Sequence, residues 1–151
     1  PCRPETCSGW MQSGFDLYSM LIEAGFEPFP TDKANHQWLE THPHAAFSAL
    51  LGQLPLPKPT LEGRLQRQLV LHANDLGIKD PMGFFEEVTR HWLLKGVLPM
   101  GHIYNPEELD ALVAALTAYQ VVRNPKEVVG VGDKEEGQII LPVSHLNEIY
   151  S

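Results

Sequence analysis

The sequence predicts an α/β fold rich in helix, and three observations carry that reading. Several segments place apolar residues at three- and four-residue spacing between capping and stop signals. One short run, Trp38-Leu39-Glu40-Thr41, has the large apolar and β-branched character of a buried strand that meets a turn at Pro43. Near the end, two apolar runs flank a polar, glycine-containing loop, the pattern of a hairpin.

In chain order, residues 1–11 read as an irregular N-terminal segment. Phe15, Leu17, Tyr18, Leu21 and Ile22 then form one face of a helix over 12–24, and Gly25 stops it. Pro28 and Pro30 break the chain before the strand at 36–41. A helix follows at 44–51, with Ala45, Ala46, Ala49 and Leu50 at helical spacing and Gly52 as its stop. Leu54 to Pro59 is a stiff, extended connector. Thr60 opens the next helix, which tolerates Gly63 and turns Leu65, Leu69, Val70, His72 and Ala73 inward.

Asp80-Pro81 starts a further helix, with an N-cap side chain and a proline in the first turn. Phe84, Phe85, Val88, Trp92 and Leu93 make its buried stripe, and a loop runs over 97–104. Asn105-Pro106-Glu107-Glu108 repeats the capping signature, with acids where the helix dipole favours them. Leu109, Leu112, Val113, Leu116 and Tyr119 are the packing face of that last helix. The alanines Ala111, Ala114, Ala115 and Ala118 let it approach a neighbour closely. Strands at 127–131 and 138–142 close the chain.

A chain of 151 residues with 43% apolar and 9% aromatic content reads as one domain able to bury a core. It opens at Pro1, with neither an initiator methionine nor periodicity, as a fragment or a processed chain would. No apolar run approaches the roughly 20 residues of a membrane span, and no secretory signal pattern opens the chain, so the expected setting is cytoplasmic. The formal charge of −8, with only 11 Lys and Arg, excludes tight nonspecific nucleic-acid binding through a basic surface. Weak or metal-bridged contact with nucleic acid stays open; the oligomeric state stays unknown. Cys2 and Cys7 read as incidental reduced thiols, because no second Cys/His pair at zinc-ligand spacing accompanies them.

The residues that can carry chemistry are few. Glu40 is a carboxylate inside an apolar strand run, at the strand tip where open α/β sheets collect their sites. Asp110 and Glu107 stand three apart on one helix and can share a face. Glu40 and Asp110 can converge on Mg²⁺ or Mn²⁺, hard cations that take oxygen ligands; exposed helix acids of no special role are the alternative. His42 and His44 flank Pro43, and with Glu40 they offer a zinc cluster or an acid/base at His42. A solvated loop with histidines of no special role is the favoured reading, and His72, His91 and His102 stand alone. Lys58, Arg64 and Arg67 form the most basic segment, suited either to phosphate contact or to a solvated helix face. Patterns for serine hydrolases, P-loop proteins, zincins and dinucleotide-binding folds are absent.

Four motifs then line up in order. They are Trp38-Leu39-Glu40-Thr41-His42-Pro43-His44-Ala45-Ala46-Phe47, Lys58-Pro59-Thr60-Leu61-Glu62-Gly63-Arg64-Leu65-Gln66-Arg67, Asp110-Ala111-Leu112-Val113-Ala114-Ala115-Leu116-Thr117-Ala118-Tyr119, and Gly132-Asp133-Lys134-Glu135-Glu136-Gly137-Gln138-Ile139-Ile140-Leu141-Pro142. Together they resemble the prokaryotic family called domain of unknown function 429, a set of predicted nucleases of RNase H-like type. The resemblance covers residues 12–142.

It implies a mixed sheet flanked by helices, a two-metal acidic site and a Mg²⁺- or Mn²⁺-dependent nuclease activity on nucleic acid. Glu40 matches the acid at the end of the fourth strand of such a fold, and Asp110 the acid of the C-terminal helix. The first acid belongs to an N-terminal strand that this chain does not contain. The resemblance therefore implies a helix-rich partial domain with an incomplete metal site, inactive as it stands. The alternative is a non-catalytic interaction or regulatory module on the same fold.

Overall fold

The computed structural model describes residues 9–31, 35–133 and 137–150, and the chain divides into two units, Pro1–Glu40 and Thr41–Ser151. Cys2 and Cys7, part of the polar loop at 134–136, and the side chains of His91 and Leu93 lie outside the described residues.

In the first unit, helix α1 spans Gly9–Glu23, so residues 9–11, expected to be irregular, are helical. It ends in a Schellman turn: Gly25 takes φ of 80°, its N–H donates to Ile22 O, and the Phe26 N–H reaches back to Leu21 O. The expected apolar face is only partly covered. Tyr18 and Leu21 are half-buried, whereas Phe15, Leu17 and Ile22 are exposed.

Strands β1 (Glu27–Pro28) and β2 (Gln37–Trp38) pair in parallel. Pro28 does not break the chain here, because its neighbours carry the ladder: Glu27 N–H donates to His36 O and Phe29 N–H to Trp38 O. A proline is tolerated where its missing N–H faces away from the pairing strand. The strand expected over 36–41 shrinks to this two-residue pair, and Glu40 lies beyond it, exposed.

The second unit holds a core of Ala46, Phe47, Leu71, Leu109, Val113, Leu116 and Leu141. Helices α2 (Pro43–Leu51), α3 (Leu61–Ala73) and α5 (Pro106–Arg123) supply most of it, and strands β3 (Val129–Val131) and β4 (Ile139–Leu141) close it as an antiparallel hairpin. Gly52 ends α2 with φ of 70°, where a side chain would be strained. Asn105 and Glu108 form a reciprocal capping box at the start of α5. Helix α4 (Met82–Lys95) begins where Asp80 Oδ1 accepts from Met82 N–H at 2.9 Å.

Several expected faces are corrected by the packing. On α3 the buried side chains are Arg67, Gln68 and Leu71, while Leu69 is 45% exposed. Gln68, fully buried, donates to Lys79 O and His102 O and accepts from Tyr104 N–H, each at 2.9 Å. Three saturated backbone contacts make a buried amide tolerable. Phe84 is buried on α4, but Phe85 and Trp92 are exposed. On α5, Tyr119 is exposed, and so are Ala111, Ala115 and Ala118; Thr117 is buried in their stead. The fold is thus mixed α/β with much helix, and its described strands form two small two-stranded sheets.

Candidate functional site

The connector after α2 is tied to α3 along its length. Leu56 N–H donates to Gln66 Oε1 at 2.7 Å, and Leu56 O accepts from Arg67 Nη1 at 2.8 Å. Pro57 O accepts from both the N–H and the hydroxyl of Thr60. Gly63 makes the approach possible, since a Cβ there would stand 2.0 Å from Pro57 O. Between Pro57 and Pro59, whose rings fix φ, Lys58 is aimed at α5. Its Nζ meets Asp110 Oδ2 at 2.6 Å. With side chains 41% and 31% exposed, this pair contributes about 0–1 kcal/mol.

Arg67 underlies the same place. It is 2% exposed, donates from Nη1 to Leu56 O and Gly63 O, and its guanidinium stands 5.4 Å from the centre of the Phe47 ring, within cation–π reach. Burial lowers its pKa, and the charge of Asp110 acts against that lowering. The charge of Asp110 thus acts on a buried cation as well as pairing with an exposed one.

The N-terminus of α2 completes the surround. His42 is the N-cap, and its Nδ1 accepts from Ala45 N–H at 3.3 Å, which leaves the ring proton on Nε2. Pro43 has no N–H, and the His44 amide in the first turn has no intrahelical acceptor. His42, Pro43, His44, Lys58, Arg67 and Asp110 line one small cavity of about 190 Å³. A wider depression of about 530 Å³ is lined by the contiguous residues 123–127 and gathers no groups from distant parts of the chain.

Five residues singled out in the sequence, His42, His44, Lys58, Arg67 and Asp110, are thus brought together. Arg64 is not among them: its Nε and Nη2 donate to Tyr104 O at 2.8 Å and Ile103 O at 3.1 Å, which fastens α3 to the segment before α5. Glu107 is exposed and does not line the cavity. Glu40 ends the first unit, where its carboxylate accepts a hydrogen bond from the Tyr18 hydroxyl. Burial first, then that hydrogen bond and the carboxylate's charge, push the Tyr18 pKa up to about 12. Pro43 carried no functional reading in the sequence, and His44 only that of a zinc ligand; the signal available for both was their position in the first turn of a helix.

A divalent ion needs several oxygen ligands. Among the described residues no group of three His, Cys, Asp or Glu side chains converges, and the Asp110 carboxylate is held by Lys58. The groups around Asp110 therefore suit an anion better than a resident cation. Among the described residues no helix is long and apolar enough to cross a membrane.

Residues 2–136 match the family described as protein of unknown function (DUF429). The chain belongs to that family. No curated protein and no solved structure matches it. The DUF429 chain thus carries a cavity of mixed charge whose chemistry must be read from its own residues.

Proposed function

We propose that this DUF429 chain binds a phosphate of a nucleic acid in the cavity beside Asp110, on a scaffold of RNase H-like type whose wider activity is phosphodiester hydrolysis. The observation that carries the reading is the meeting of Lys58, Arg67 and the α2 N-terminus in one cavity. Cations and helix N-termini are the groups that phosphate oxygens seek. The acidic balance of the whole chain is no obstacle, because recognition of one phosphate depends on local charge. It does restrict binding to the cavity rather than to a broad surface.

Mg²⁺ or Mn²⁺ is the cofactor that the RNase H-like reading implies, and the groups around Asp110 do not by themselves fit it. The ion pair at Asp110 favours a second reading, a non-catalytic binding module on the same scaffold, because a carboxylate neutralised by Lys58 is a poor metal ligand.

Labelled oligonucleotides, single-stranded and duplex, incubated with the full chain with and without Mn²⁺ separate these. Binding should weaken with salt and fall several-fold in Lys58→Met. Mn²⁺-dependent cleavage that is lost in Asp110→Asn and Glu40→Gln would support the nuclease. Binding without cleavage in any variant would assign the non-catalytic module. No binding by the wild type would sink both.

A further inference from the structure

The cavity is built for a particular charge, and the inference drawn from it rests on the phosphate reading above. Arg67 lines the cavity while 2% exposed, and only its Nη1 is committed, to Leu56 O and Gly63 O. Its Nε and Nη2 have no hydrogen-bond acceptor among the described residues. A guanidinium offers five donors, and those on Nε and Nη2 are not among the fully buried unpartnered atoms, so they remain open to solvent and to a ligand. Lys58 holds the other side, but through a pair that is a third to two-fifths exposed and so opens readily. The His44 amide adds a donor without an intrahelical acceptor.

Charge and size then narrow the ligand. Two bases, Lys58 and Arg67, face one acid, Asp110, so the closed cavity keeps one positive charge. Were Asp110 to turn away, two would face the ligand. An internal phosphodiester carries a single negative charge per phosphate, whereas a phosphomonoester carries about −1.5 to −2 at pH 7. The volume of about 190 Å³ is below the roughly 300 Å³ at which pockets begin to hold whole small molecules. It has room for a phosphate group and not for a nucleoside.

We propose that Asp110 is a displaceable counterion, and that the cavity takes a terminal phosphate dianion, which replaces the carboxylate at Lys58. The phosphate is that of a nucleic-acid end, with free phosphate as the other source of the same chemistry. Asp110 then acts as a selectivity device. A monoanionic diester gains little by displacing a carboxylate of equal charge, and a dianion gains more.

The test is fluorescence anisotropy on the full chain with internally labelled single-stranded DNA bearing a 5′-phosphate, a 3′-phosphate or hydroxyls at both ends. Inorganic phosphate serves as competitor. A phosphorylated end should bind about tenfold tighter than a hydroxyl end, the size of one added charge-assisted hydrogen bond. Asp110→Asn should tighten phosphorylated DNA and shrink the preference for it over hydroxyl-ended DNA, and Lys58→Met should weaken it. Arg67 is left unchanged because it is part of the packing.

Equal binding of all three ends, still weakened by Lys58→Met, would overturn the terminal-phosphate inference and leave the phosphate reading standing. Asp110→Asn weakening binding as much as Lys58→Met would overturn the counterion role. Saturable binding of inorganic phosphate, tightened by Asp110→Asn, with no binding of any DNA would support the inference and remove nucleic acid from the proposed function.

Discussion

Lys58 and Asp110 are 52 positions apart in the chain, yet Nζ and Oδ2 meet at 2.6 Å, and the buried guanidinium of Arg67 feels the same carboxylate. The two partners of this pair are therefore not equivalent. Removing Lys58 deletes one half-exposed contact, whereas removing Asp110 also takes away the negative charge that acts on buried Arg67. Lys58→Met should shift stability by no more than about 1 kcal/mol. Asp110→Asn should cost about 1 kcal/mol more than that, the larger penalty of an uncompensated buried charge. Urea midpoints of the two variants decide the order, and equal midpoints would show that Asp110 does not act on Arg67.

Gly63 and Gly14 are both helical glycines, and the structure separates them. A Cβ at Gly63 would stand 2.0 Å from the carbonyl oxygen of Pro57, while nothing lies within 4 Å of one at Gly14. Gly63→Ala should therefore cost about 2–4 kcal/mol by forcing the connector off α3. Gly14→Ala should stabilise α1 by about 0.5–1 kcal/mol, the usual helical gain. Thermal unfolding of the two variants gives opposite signs if this account holds. Gly63→Ala should also disturb Lys58, whose placement depends on that connector.

What was legible in the sequence was what is local. The capping box of Asn105 and Glu108, the Thr60 cap and the stop at Gly52 are each specified within a few residues, and each is observed. The buried face of α3 was not legible, because hydrophobic periodicity points to Leu69, and the residues that turn inward are Arg67 and Gln68. Their partners are backbone carbonyls at Leu56, Lys79 and His102, which no side-chain pattern announces. The same limit applied to the site. Residue type flagged His42, His44, Lys58, Arg67 and Asp110, but only the packing of the connector against α3 and α5 unites them.

Gln68 offers a direct measure of those hidden contacts. Its amide joins Lys79 O, His102 O and Tyr104 N–H, and Arg64 adds bonds to Ile103 O and Tyr104 O. Gln68→Ala leaves a cavity and unsatisfied backbone groups, so a loss of about 3 kcal/mol is expected. Arg64→Ala, at a less buried position, should cost about 1–2 kcal/mol. Amide exchange gives the finer readout. In Gln68→Ala, protection should fall first at Tyr104, whose N–H loses its acceptor, and be kept at Val113 in the core. Uniform loss of protection across α5 would mean that Gln68 supports the whole core and not this one junction.

Tyr18 makes the pH prediction. Its folded pKa of about 12 is above the ordinary 10.0, through burial first and then the hydrogen bond and charge of Glu40. A group that holds its proton more tightly when folded adds stability that is fully present below the unfolded pKa. That stability is lost as pH rises through the folded one. The first unit should therefore lose stability between about pH 10 and pH 12. Tyr18→Phe keeps the edge-on contact with Trp38, whose ring centre is 5.0 Å away, but removes the titration. The absorbance step of tyrosinate near pH 12 should vanish in that variant. In Glu40→Gln it should move back toward 10.0, because the charge is gone and burial alone remains. A step unmoved by Glu40→Gln would mean that the carboxylate does not hold the tyrosine's proton in solution, and Glu40 would then be free for another role.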